Sequence, residues 1–199
     1  MDSRGINEFI KENVDKIYDE MVKVRRVIHE NPELGDEEFE TSKFIKNFLM
    51  ENGIEFSEII NTGVVATIYN DKENIKNKTV ATRADIDALP IFEENEVEYK
   101  SKNIGKMHAC GHDAHTTIQL GVAKILADNK DKWNGTVRFF FQPAEETTGG
   151  ADRMIKNGAL KFENDTNRKI DAFFALHMAP EIELGKIGLK YGKAHASSA

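Results

Sequence analysis

The chain has 199 residues, enough for one sizeable core, or for one domain and the beginning of another. Its 40% hydrophobic and 31% charged content is that of an ordinary soluble globular protein, and no window offers the roughly 18 to 20 apolar residues that a membrane span requires. A net charge of −7 with no Lys/Arg cluster speaks against a nucleic-acid partner, because neutralising phosphates needs a basic face.

The N-terminus, MDSRGINEFIKENVDKIYDEM, alternates charged and apolar residues and lacks the apolar stretch and small-residue cleavage site of a signal peptide. The single cysteine, Cys110, cannot form an internal disulfide, so a reducing, cytoplasmic setting with no membrane attachment is expected, and the thiol is left for metal or chemistry. From Ile6 onward, Ile6, Ile10, Ile17, Met21, Val24 and Ile28 follow helical spacing, which predicts a long amphipathic helix to about His29. Pro32 stops it, since the residue before a proline is pushed out of the helical conformation. A second helix is predicted through DEEFETSKFIKNFLMENG, with Phe39, Ile45, Phe48 and Leu49 on one face and Gly53 as its C-cap.

After Gly63 the pattern changes to short apolar runs, VVATIY, TVATRAD, TVRFFFQP, DAFFALHM and GKIGLKYG, which read as strands, several apolar on both faces. Between the second and third, HTTIQLGVAKILADN sets Ile118, Val122, Ile125 and Leu126 at helical spacing. Strands alternating with helices predict an α/β layered fold with a largely parallel sheet.

Asp85 ends the run TVATRAD, Glu145 and Glu146 follow TVRFFFQP, and His177 closes DAFFALH. Acids and a histidine thus fall at C-terminal strand ends, the edge where open α/β sheets bind ligands. Cys110 and His112 lie just before a predicted helix, whose N-terminus is expected to lower the thiol pKa. Singly, each has an ordinary structural explanation: a core histidine, a solvated acidic pair, an ion pair with Arg83, a buried apolar cysteine. Together they describe a donor set of thiolate, imidazole and carboxylate, which suits a borderline transition-metal ion rather than Mg²⁺ or Ca²⁺. Adjacent carboxylates fit beside such an ion, one binding it and its neighbour accepting a proton from water.

RRVIHENPELGDEEFETSKFI, TRADIDALPI, MHACGHDAHTT, FFFQPAEETTGGADRMIKNGAL and ALHMAPEIELGKIGLKYG resemble successive signatures of the M20 metallopeptidase family, in its amidohydrolase branch. That branch includes N-acyl-amino-acid amidohydrolases, hippurate hydrolases, N-acetyldiaminopimelate deacetylases and auxin-conjugate hydrolases. The resemblance implies a three-layer αβα zinc-peptidase-like catalytic domain. It further implies that Cys110, His112, Glu146 and His177 hold two divalent ions (Zn, Mn or Co), Cys110 bridging them. Glu145 resembles the general base, and Asp85 the second catalytic carboxylate, which supports a ligand histidine. The peptidase branch carries a histidine where Arg83 stands, which favours N-acyl amino acids over dipeptides as the small-molecule substrate. His108, Asp113 and His115 match no ligand position and are expected to support the ligands or pack. His29 is expected at the surface or as a cap, and His195 away from metal.

Family members resemble a chain about twice this long, so residues 1–187 are expected to be the N-terminal part of the catalytic domain. Residues 188–199 would begin a lid domain through which full-length relatives could form homo-oligomers. The last ligand histidine and the substrate-gripping residues would lie beyond Ala199, and the 199-residue chain by itself is expected to be weakly active or inactive. The rival reading is a non-catalytic remnant with a partial metal site.

Overall fold

The apolar stripe of the first thirty residues forms a single helix, α1 (Ser3–Glu30), and Phe39–Glu51 forms α2, in a computed structural model that describes residues 3–70, 78–162 and 168–189. Of the predicted apolar faces, Val24, Ile28, Ile45, Phe48 and Leu49 are buried in one cluster, whereas Ile6, Ile10 and Phe39 stay exposed. A short strand, β1 (Glu55–Ile59), then turns directly into β2 (Gly63–Asn70). β1 is absent from the sequence reading because EFSEI is a polar edge strand, with no continuous apolar run to mark it. Next come β3 (Thr79–Asp85), α3 (His112–Asp128), β4 (Gly135–Gln142), the short α4 (Gly150–Lys156) and β5 (Ala172–Ala175).

The sheet order is β1-β2-β4-β3-β5. Its β4-β3-β5 half is parallel, as expected, but β1 and β2 pair antiparallel with each other and β2 with β4, so the sheet is mixed rather than largely parallel. The cause is local: only Ile60, Asn61 and Thr62 join β1 to β2, too few for a parallel crossover, and Ile60 and Asn61 adopt positive φ to close the turn. DAFFALHM yields a strand only at Ala172–Ala175, and residues 185–189 of GKIGLKYG form no strand. Residues 190–199, including His195 and most of the expected lid segment, lie outside the described residues.

β4 is the central strand, and its run of phenylalanines serves two cores. Phe139 and Phe141 point with Val64, Ala66 and Ile68 into the cluster under α1, α2 and α3. Phe140 points the other way, with Val65 and Ala81, towards Met154 of α4. This alternation across the pleat produces the expected three-layer αβα arrangement. Among the described residues no helix is long and apolar enough to cross a membrane.

Phe141 has no exposed surface and sits where the sheet meets the helices. Phe141→Ala is expected to lower stability by about 3 to 5 kcal/mol, measured as a shift of the urea midpoint with unchanged slope.

Candidate metal centre

The parallel pairing of β3 and β4 sets Asp85 opposite Gln142, and β5 ends beside them with Ala175 opposite Arg83. Three chain segments therefore leave the sheet at one edge. Past β3, the chain stays pinned through Ile86 N–H to the Gln142 carbonyl, and this brings Asp87 to the edge as well. Asp87 is buried, and its carboxylate links two of the segments: Oδ1 lies 3.1 Å from His112 Nδ1, and Oδ2 accepts the Glu146 backbone N–H at 2.9 Å. The Asp87 carbonyl also lies 2.8 Å from His112 Nδ1.

Gly111, with φ of 86°, turns the chain into α3 so that Cys110 and His112 both face the edge. A Cβ there would lie 2.8 Å from Met178 Cγ, so glycine is required by conformation and by space. His115, one turn later, places Nδ1 2.6 Å from Asp85 Oδ1 and accepts the Met178 N–H on Nε2 at 2.8 Å. Accepting on Nε2 puts the proton of His115 on Nδ1, where it is donated to Asp85. His177 follows β5, with Nδ1 2.6 Å from the Met178 carbonyl and Nε2 3.3 Å from Cys110 Sγ. β4 is followed by Pro143 and Ala144, the latter buried at φ of 51°, after which come Glu145 and Glu146.

His112 is common to three groups of donors whose atoms lie within 4.8 Å of one another: Cys110, His112 and His177; His112, Glu145 and Glu146; Asp85, His112 and His115. The last is the weakest candidate, because both nitrogens of His115 are already engaged. Cys110 and His112 at the start of α3, Glu145 and Glu146 after β4, and His177 after β5 come together at this edge.

The donor set fits a divalent cation. His112 Nε2 is buried and makes no hydrogen bond, with Asp85 Oδ2 at 3.5 Å and Glu146 Oε1 at 3.8 Å, while Nδ1 is held from behind by Asp87. A ligating imidazole needs this arrangement. The Cys110 thiol is pushed up to about 12, by burial first and then by the carboxylates of Glu146, Asp85 and Glu145. Without a metal, burial and then the three acids outweigh the partial helix charge, so the thiol pKa is raised rather than lowered. Burial alone would lower the His112 pKa, yet Asp87, Asp85 and Glu146 raise it. A cation among these groups would reverse the balance at the thiol.

The carboxylate behind His112 is Asp87, which sequence reasoning missed, while Asp85 lies against His115 and receives Arg83 Nη1 at 2.6 Å. Asp87 lies two residues beyond Asp85 in TRADIDALPI, a spacing that was the available signal. His29 is neither exposed nor a cap: it is buried, with Nδ1 2.8 Å from Asp113 Oδ2 and Nε2 3.1 Å from Glu93 Oε1. The bond to Asp113 is the main cause of its raised pKa. Asp113 also accepts from Arg25 Nε, so it ties α1 to α3 behind the site. His108 is buried, both its nitrogens lack partners, and burial lowers its pKa to about 4.

A model of peptidase family M20/M25/M40 matches residues 81–197. N-acetyl-L-cysteine deacetylase of Bacillus subtilis (strain 168) is 44% identical over 186 residues, 93% of this chain and 42% of that protein. IAA-amino acid hydrolase ILR1-like 2 of Arabidopsis thaliana is 47% identical over 178 residues, 89% of this chain and 38% of that protein. The solved structure of Bacillus subtilis YXEP, a dinuclear metal binding peptidase from the M20 family, superposes with a TM-score of 0.78 at 40% identity, covering 88% of this chain and 47% of that one. The chain thus spans less than half the length of these relatives.

Burial raises the pKa of Asp85, but the His115 bond and the charges of Arg83, His112 and His115 outweigh it, holding the carboxyl at about 2 against an ordinary 3.8. A carboxyl depressed on folding stabilises the fold fully above its unfolded pKa and loses that stabilisation as pH falls through the folded one. Asp85 is therefore expected to contribute roughly 2 kcal/mol above about pH 4, fading towards pH 2. Urea unfolding of the metal-free protein and of Asp85→Asn across this range checks it: the variant should show the flatter pH dependence.

Proposed function

The chain belongs to peptidase family M20/M25/M40, and from this premise we propose that it hydrolyses the amide bond of N-acyl amino acids with the help of two divalent metal ions. The observation that carries the reading is the buried, unpartnered Nε2 of His112, facing Cys110, His177 and the Glu145–Glu146 pair from a ring fixed by Asp87. Cys110, His112, Glu146 and His177 would hold the ions. When bound, the ions would supply Lewis acidity to the substrate carbonyl and acidify water towards neutrality.

The remaining work falls to the chain's own groups. Glu145 takes a proton from the attacking water on its carboxylate and passes it to the leaving amine as the C–N bond breaks and the new C–O bond forms. Asp87 keeps the His112 proton on Nδ1, which leaves Nε2 unprotonated with its lone pair available to a cation. The Met178 carbonyl does the same for His177 through its Nδ1. The products are a carboxylic acid and a free amino acid. Relatives named N-acetyl-L-cysteine deacetylase and IAA-amino acid hydrolase support this substrate class. Arg83 turns its guanidinium onto Asp85 and Gln142, where it supplies a cation rather than a ligand, and this supports N-acyl amino acids over dipeptides. A mixed thiolate, imidazole and carboxylate shell supports Zn, Mn or Co as the metal.

In the whole protein, Glu145→Gln is expected to lower kcat on N-acetyl and N-benzoyl amino acids by about 10² to 10⁴ while metal content stays at the wild-type level. Glu146→Gln is expected to lower the metal content itself. Elemental analysis beside a turnover assay separates the two, and equal metal content in both variants would refute the division of roles.

A further inference from the structure

The segment between α1 and α2, Glu33–Glu38, touches both loops that build the site, although none of its residues belongs to the donor set. Ala88 N–H, just past Asp87, donates to the Glu33 carbonyl at 2.8 Å. At its other end the segment lies against the turn that carries the glutamate pair. A Cβ on Gly35 would fall 2.4 Å from Thr147 Oγ1 and 3.1 Å from Ala144 Cα, and Asp36 accepts from Arg153 Nη1 and Thr148 Oγ1.

Glu38 is the unexpected residue in this segment. It stands at the N-cap of α2 without capping it, while Glu33 accepts from Thr41 N–H and Glu40 N–H and so serves that helix start. The Glu38 side chain has no exposure at all. A carboxyl is buried at a cost unless hydrogen bonds replace its water. The bonds it makes reach forward in the fold: Oε1 accepts the Ala144 N–H at 2.8 Å and Oε2 accepts Thr62 Oγ1 at 2.8 Å. Ala144 is a non-glycine residue at φ of 51°, a conformation that persists only where surroundings hold it. The next residue is Glu145, and the amide after that, Glu146 N–H, donates to Asp87 Oδ2 at 2.9 Å.

We infer that Glu38 is a positioning residue for the glutamate pair: its buried carboxyl holds Ala144 in the left-handed turn and so sets the direction in which Glu145 and Glu146 leave β4. Glu38 and Asp87 grip alternate amides of the turn, and the loop between them has little freedom left. The consequence for metal binding rests on the proposed hydrolase reading; the grip on the turn does not.

Amide hydrogen exchange over residues 143–149, followed by mass spectrometry on Glu38→Ala and Glu38→Gln, tests the grip without any metal. Loss of a buried acceptor is expected to speed exchange there about tenfold or more in Glu38→Ala. Glu38→Gln keeps an oxygen for Ala144 N–H and should restore protection. Titration with Co²⁺, read from its visible absorption bands, tests the consequence: Glu38→Ala should weaken binding by about ten- to a hundredfold and alter the bands, and Glu38→Gln should restore both. Unchanged exchange in Glu38→Ala overturns the proposal, as does faster exchange with unaltered cobalt affinity and spectrum. A whole wild-type protein that binds no cobalt but whose turn still depends on Glu38 removes the metal-centre reading and leaves the grip standing. If Glu38→Ala does not fold, Glu38→Asp carries the same test, because its carboxyl is drawn back from Ala144 by one methylene.

Discussion

The parallel pairing of β3 with β4, registered so that Asp85 lies beside Gln142, is the constraint on which the site depends. Parallel neighbours finish at the same edge, and the pairing of β5 with β3 adds a third chain end there. β2 runs the opposite way, so its start, with Thr62 before it, arrives at that edge as well. A slip of one residue between β3 and β4 would send Phe139 and Phe141 to the wrong face of the sheet. The hydrophobic core therefore enforces the alignment that the polar groups use. Core and site are coupled through register rather than through direct contact.

Upon that edge the polar groups are arranged as carboxyl-to-imidazole pairs. Asp87 stands behind His112, Asp85 behind His115, and Asp113 behind His29. Each of these acids is buried, and each accepts at least two hydrogen bonds or charged contacts, which offsets the loss of water. The pairs have different partners beyond the imidazole: Asp87 reaches the glutamate loop, Asp85 reaches Arg83 on its own strand, and Asp113 reaches Arg25 on α1. Neighbouring histidines thus hold distinct places within one short stretch of sequence.

Much of this was legible in the sequence, and the exceptions share a cause. The long first helix, the strand VVATIY and the central strand TVRFFFQP follow from periodicity, because burying a face requires it. The strand-end position of Asp85, the Glu145–Glu146 pair and His177 likewise follows from the apolar runs that precede them. β1 escaped notice because an edge strand need not be apolar, and α4 because seven residues show too little periodicity. His29 looked like the end of an exposed helix; its burial depends on Asp113 and Glu93, which are 84 and 64 residues away. The raised thiol pKa has a similar origin: a helix terminus is visible in the sequence, but the burial of Cys110 and the approach of Asp85, Glu145 and Glu146 from other segments arise only in three dimensions.

The sequence by itself determined which residue types could bind a metal, that they stand at strand ends and a helix start, and that the whole motif order resembles one hydrolase family. Spacing suffices for these because strands and helices are local and motifs are contiguous. Tertiary structure alone decided which carboxyl serves which imidazole, that Asp87 rather than Asp85 backs His112, and that the buried acid Glu38 bears on a turn 106 residues away. Those assignments depend on hydrogen bonds about 3 Å long between distant segments, a length scale set by packing and invisible to local pattern.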